Sequence, residues 1–112
     1  MTWIVIFIFV ILLGGNVNGV IRWNDSNHDL NNFKDNGRWA VWGISGTEGN
    51  QDHMPVTGID NSRGFLDVKK VTESANTYWI IQEYYETFQN ANKKYIRTLI
   101  NDQWSSWKTI VS

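Results

Sequence analysis

The sequence predicts a mostly β fold: a small antiparallel β-sheet knob (β-rich α+β) with one short N-terminal helix. Three observations predict it. Segments alternating with a period of two outnumber anything helical from residue 38 onward. Glycine- and asparagine-bearing stretches punctuate them. The segments themselves are rich in β-branched and aromatic residues, and seven Trp stand among only 112 residues.

The elements follow in order. Asn16 to Asn27 is rich in Asn and Gly, interrupted by Val20-Ile21-Arg22-Trp23, and reads as a linker or turn region. Asp29 to Gly37 reads as one or two helical turns. Asp29 can cap, Leu30 and Phe33 share a face at i,i+3, and Gly37 supplies the stop. Asn is a poor helix former, which keeps the element short. Arg38 to Trp42 is a strand bracketed by Gly37 and Gly43. Ser45 to Gln51 is a loop, and Pro55 marks an edge or a turn. Gly64 to Val71 is a strand with Leu66 and Val68 on one face and Asp67 and Lys69 on the other. Thr72 to Asn76 is a turn. Tyr78 to Phe88 carries large apolar groups on both faces, as a central strand does. Gln89 to Asn92 reads as a hairpin loop, Lys94 to Ile100 as a strand, Asn101 to Gln103 as a turn, and Trp104 to Val111 as a closing strand.

Composition bounds the function. Hydrophobic residues make up 42% and aromatics 14%, enough for one compact domain. The absence of Cys excludes disulfides, Cys-ligated zinc and a thiol nucleophile. A net charge of −1, with ten basic and eleven acidic residues, gives no footprint for nucleic acid. Trp3 to Leu13 is an unbroken apolar run, shorter than the roughly 20 residues of a bilayer crossing. Its length suits a signal h-region, but no positive residue precedes it. A signal or anchor, a strand buried in an oligomer interface, and a gene-start artefact all remain open readings, so membrane association is left uncertain. The division is an apolar segment and linker over 1–19 and a knob over 20–112.

No reactive centre is legible. His28 and His53 sit in polar loops without ligand-like spacing, so neither a metal nor a cofactor is expected. Strand parity puts Glu83 and Glu86 on opposite faces, where they cannot flank one glycosidic bond. The expectation is a protein that is not an enzyme. The aromatics remain as candidate contacts for ligand. Trp42 and Trp39 take opposite faces of one strand, as do Trp79 and Tyr78. On a regular strand Trp104 and Trp107 also face opposite sides; they either clamp the last strand to the sheet or offer a ring for a sugar to stack on. Gln82 and Tyr84 share one face, Tyr95 and Arg97 another. If those strands pair, Arg97 meets them in a polar centre that suits an anion or sugar phosphate, or a structural stack. Candidate ligand contacts are therefore Trp42, Trp79, Tyr84, Tyr95, Arg97, Trp104 and Trp107.

The order of motifs is also familiar. Asp29-Leu30-Asn31-Asn32 comes first, then Gly37-x-Trp39, Pro55-Val56, and Gly64-Phe65-Leu66-x-Val68. Gln82-x-Tyr84, Tyr95-x-Arg97 and Trp104-Ser105-x-Trp107-Lys108-x-Ile110 complete it. From about Asn24 to Val111 this resembles the pyocin-knob type domain of phage tail fibres, baseplate proteins and R-type pyocin fibres. Its most specific parts are the Asp-Leu-Asn opening and the Trp-Ser-x-Trp ending. The resemblance implies a small β-rich knob on a virion, carried by a commonly trimeric fibre. It also implies attachment to bacterial surface polysaccharide or teichoic acid. Where that family carries a shaft, this chain has the apolar run. Export as a secreted or membrane-anchored carbohydrate-binding protein, and a purely structural fibre cap, are the competing expectations.

Overall fold

The structure, a computed structural model, describes residues 17–44, 52–55, 61–88 and 93–111. The apolar run and the loops expected over Ser45–Gln51 and Gln89–Asn92 lie outside them. The fold is mostly β. Its strands are β1 (Gly19–Arg22), β2 (Gly37–Ile44), β3 (Ser62–Ser74), β4 (Thr77–Glu86), β5 (Lys93–Ile100), β6 (Gln103–Trp104) and β7 (Lys108–Val111). They form one sheet in the order β1-β2-β3-β4-β5, and both β6 and β7 pair with the far side of β5. Only β1 and β2 run parallel; every other pair is antiparallel.

Four expectations change. The helix of one or two turns is a single 3-10 turn, Leu30–Asn32, with the Asp29 side chain accepting from the Asn31 N–H. Three asparagines in this stretch disfavour continued helix, and tertiary bonds take over the freed carbonyls. The Asn/Gly stretch read as a linker contains β1. Four residues are too few to show a period, and their partner, β2, follows a long crossover. Backbone pairing reaches back to Asn18, whose N–H donates to the Arg38 carbonyl. The closing strand is split in two by Ser105–Trp107. Finally, β3 continues through the expected turn to Ser74, and only Ala75-Asn76 separate it from β4.

Strand alternation sorts the side chains cleanly. One face carries Ile21, Val41, Ile44, Leu66, Val68, Ile80, Tyr84, Tyr95 and Leu99, all buried. Leu30 from the 3-10 turn and Met54 complete this core, with Phe33, Trp39, Tyr78, Trp104 and Trp107 packed around it. Each fully buried large aliphatic contributes about 1.5–3 kcal/mol of transfer free energy. Gly64 is required here: a Cβ would collide with the Tyr85 carbonyl of β4. The other face of the sheet has no covering layer among the described residues. Trp42, Phe65, Val71, Trp79, Tyr85 and Ile100 are exposed on it.

Candidate functional site

The expected pairing of β4 with β5 sets Gln82 opposite Arg97 and Tyr84 opposite Tyr95. This brings together a polar centre on the covered face. Arg97 Nε donates to Gln82 Oε1 at 2.9 Å, and Gln82 Nε2 donates to the carbonyls of Leu30 (2.7 Å) and Phe33 (2.8 Å). One amide thereby fastens the 3-10 turn to the sheet. The irregular Ser105–Trp107 segment frees Trp104 and Trp107 from strand parity, so both rings stack on Arg97, at 4.0 and 4.5 Å from its guanidinium carbon. Trp107 Nε1 in turn donates to the His53 carbonyl at 2.9 Å.

Arg97 is only 4% exposed. Burial pushes its guanidinium down to about 10, with Asp29 opposing the shift. It therefore stays charged at neutral pH. Tyr84 is fully buried and Tyr95 nearly so. Burial drives both phenols above their ordinary range, and the Glu86 carboxylate adds to it. The structure thus places Tyr84, Tyr95 and Arg97 inside the domain, away from any docking ligand. Trp104 and Trp107 are half-buried as the clamp over Arg97. Their physical role here is to hold the C-terminal segment against the sheet.

The histidine loops are part of the same fastening. His53 Nδ1 and Asp29 Oδ1 are hydrogen-bonded at 2.7 Å. His28 Nδ1 lies 2.8 Å from Asp52 Oδ1 without hydrogen-bond geometry. Two reciprocal contacts therefore staple these loops, and the Leu30 N–H donates to the Asp52 carbonyl between them. Among the described residues no three metal-ligating side chains converge. Glu83 lies on the open face and Glu86 on the covered one, so they do not flank a common site.

A second sandwich of the same chemistry lies in the open. The Arg63 guanidinium carbon sits 4.0 Å from the Trp42 ring centroid and 4.6 Å from that of Phe88. Trp42 is 50% exposed and Phe88 52%. The Trp23 indole, 62% exposed, lies beside Gly43 just after Trp42, and the Trp23 backbone N–H donates to the Trp42 carbonyl. Gly43 has φ 75° at a β-bulge, where glycine both accepts the left-handed backbone and leaves space for that indole. Arg22 flanks Trp42 on the neighbouring strand. Neither Arg22 nor Arg63 has an ion-pair partner among the described residues.

This platform is held from behind. Buried Glu86 accepts from the backbone N–H of Arg63 and of Phe88, both at 3.2 Å, and from the Tyr84 hydroxyl at 3.0 Å. The Thr87 N–H and hydroxyl both donate to the Arg63 carbonyl. The two residues that grip the Trp42 side of the sheet therefore have fixed backbones before any ligand arrives. An exposed indole with a guanidinium beside it can stack a pyranose ring and donate to its hydroxyls or acidic substituents.

Of the seven expected contacts, only Trp42 and Trp79 reach the open face as exposed rings. Trp79, 37% exposed, lies at the opposite end of the sheet from Trp42, beside Val71 and Ile100. Trp23, Arg63 and Phe88 were not legible as a group. They come from three separate segments, and only the β2–β3 register juxtaposes Trp42 with Arg63. The one available signal was parity, which puts Arg63 on the side of Phe65 and Asp67. No family model, curated protein or solved structure matches this chain.

Proposed function

We propose that this chain is a non-catalytic adhesion knob of the phage tail-fibre or baseplate type, which attaches to a host bacterial surface glycan. The observation that carries the reading is the exposed Trp42–Arg63–Phe88 stack with Trp23 at its side. Its rings and guanidinium are preorganised and face solvent on a sheet face that no other layer covers. A surface polysaccharide or teichoic acid supplies the complementary groups: sugar C–H faces for the rings and hydroxyl or acidic oxygens for the guanidinium. The resemblance of the motif order to pyocin knobs supports the same reading, in which the chain would be carried on a virion. Contact through one such patch is weak, and display of several copies on a fibre raises avidity without new contacts.

The test is binding of the full chain to purified host cell-wall polysaccharide and teichoic acid. Trp42→Ala and Arg63→Ala are each expected to weaken binding about tenfold, or 1.4 kcal/mol. Lys108→Ala, at the far edge, leaves it unchanged. Binding that survives both platform substitutions refutes the assignment of the site.

A structural reading has one observation in its favour. Phe65, Val71, Trp79, Tyr85 and Ile100 spread an apolar strip over the same face, as a sheet buried in a trimeric fibre would. A stable trimer that retains no glycan selects that reading. Recovery of the protein from the medium or from membranes selects the exported carbohydrate-binding alternative. Among the described residues no helix is long and apolar enough to cross a membrane.

A further inference from the structure

The far end of the sheet holds a cleft that the Trp42 platform does not use. The β3–β4 turn contributes Asn76, Thr77 and Tyr78, and the β5–β6 turn contributes Asn101 and Asp102. They line an open cleft of about 290 Å³, just under the lower end of the range for small-molecule sites. We propose that this cleft is a saccharide subsite that takes a neutral sugar through Asn76, Asn101 and Asp102. The inference rests on the adhesion reading for its ligand class and gives that reading a second point of contact.

The polar groups are of the kind that read hydroxyls. The Tyr78 hydroxyl donates to Asp102 Oδ1 at 3.0 Å, which fixes the carboxylate and leaves Oδ2 without a protein partner among the described residues. The amides of Asn76 and Asn101 are exposed and likewise make no protein hydrogen bond there. Each amide offers both a donor and an acceptor, the pairing that a sugar hydroxyl needs.

The charges around the cleft roughly balance. Lys70 Nζ, 4.7 Å from the Tyr78 ring centroid, offsets the Asp102 carboxylate, so neither a cation nor an anion is drawn in by a net charge. A neutral polyhydroxylated ligand remains.

The turn itself separates this role from a purely structural tie. Asn101 and Asp102 both have positive φ, 53° and 61°, as a two-residue hairpin turn with its two central residues left-handed requires. Glycine is the unstrained residue at the second position. Asp102 stands there instead, with its carboxylate in the cleft. A side chain kept only to tie the turn to Tyr78 should stabilise the fold. One kept for a ligand should cost stability.

The two contact regions lie far apart. From Arg63 to Ser74 there are eleven steps along β3, about 36 Å at roughly 3.3 Å per residue. They would engage different sugars of one polymer.

The experiment is amide-resolved NMR of the full chain, titrated with glucose, galactose, N-acetylglucosamine and glucuronic acid. At least one neutral sugar is expected to shift the amides of Asn76, Thr77, Tyr78, Asn101 and Asp102, with glucuronic acid at least several-fold weaker. Asp102→Gly is expected to weaken those shifts tenfold or more while the melting temperature holds or rises. Asp102→Asn keeps the shape and weakens binding without unfolding the turn. Cleft amides that ignore every neutral sugar, shifts that persist in Asp102→Gly, or glucuronic acid binding as well as the neutral sugars each overturn the proposal. So does a lower melting temperature in Asp102→Gly, which marks a structural tie. Shifts confined to the Trp42 platform refute the cleft and leave the adhesion reading standing. Polysaccharide binding lost from the unmodified chain refutes that reading itself.

Discussion

Gln82 is the residue whose removal the fold should tolerate least for its size. Its side chain joins β4 to the 3-10 turn and to Arg97; the contacts to the Leu30 carbonyl and to Arg97 are buried and that to the Phe33 carbonyl is partly so. Gln82→Met keeps the length and volume but removes both donors and the acceptor. The carbonyls of Leu30 and Phe33 lose their side-chain donor, and the Arg97 Nε loses its acceptor, while Nη2 already lacks one. Two neutral hydrogen bonds at about 1 kcal/mol each and one to a charged group at about 1.5–3 give a loss of roughly 3.5–5 kcal/mol. Total stability for a domain of this size is about 5–15 kcal/mol, so the variant should be marginal. Urea denaturation followed by far-UV circular dichroism measures the loss, and tryptophan emission reports release of Trp104 and Trp107 from Arg97. Gln82→Glu gives an independent check. It keeps an acceptor for Arg97 but sets a carboxylate against two carbonyls, so it too should destabilise. A loss under about 1 kcal/mol in Gln82→Met, or a Gln82→Glu protein as stable as the parent, would refute the view that this amide anchors the turn.

Two further predictions concern the covered face. Gly64→Ala forces a Cβ against the Tyr85 carbonyl and should cost about 1–3 kcal/mol or more, read as a lower urea midpoint; an unchanged midpoint contradicts the β3–β4 register. Tyr84 has its phenol raised by burial, so the folded state holds a proton that the unfolded chain releases above about pH 10. Its stabilisation is complete below that pH and falls by about 1.4 kcal/mol per pH unit above it. Arg97, lowered to about 10, acts in the opposite sense over the alkaline range. The difference between the parent and Tyr84→Phe in alkaline denaturation isolates the tyrosine; equal slopes in the two proteins would contradict its burial.

Alternation and composition alone determined that this chain is β-rich. They also located β2, β4 and β5 to within one or two residues, and put Gln82 with Tyr84, and Tyr95 with Arg97, on a shared face of their own strands. That much is local: a side chain's side of a strand follows from counting. Which face is covered does not follow from counting, because both faces of β4 are apolar in the sequence. Tertiary structure decided it, by laying Leu30, Met54 and the C-terminal tryptophans on one side only. The same decision divided two chemically equal arginine–aromatic stacks. Arg97 became an internal fastener, and Arg63 with Trp42 and Phe88 remained in water. Register between distant strands and a break at Ser105–Trp107 set those positions, and neither leaves a periodic mark in the chain. Burial, a property of the assembled sheet, is what separates a residue that holds this protein together from one free to hold something else.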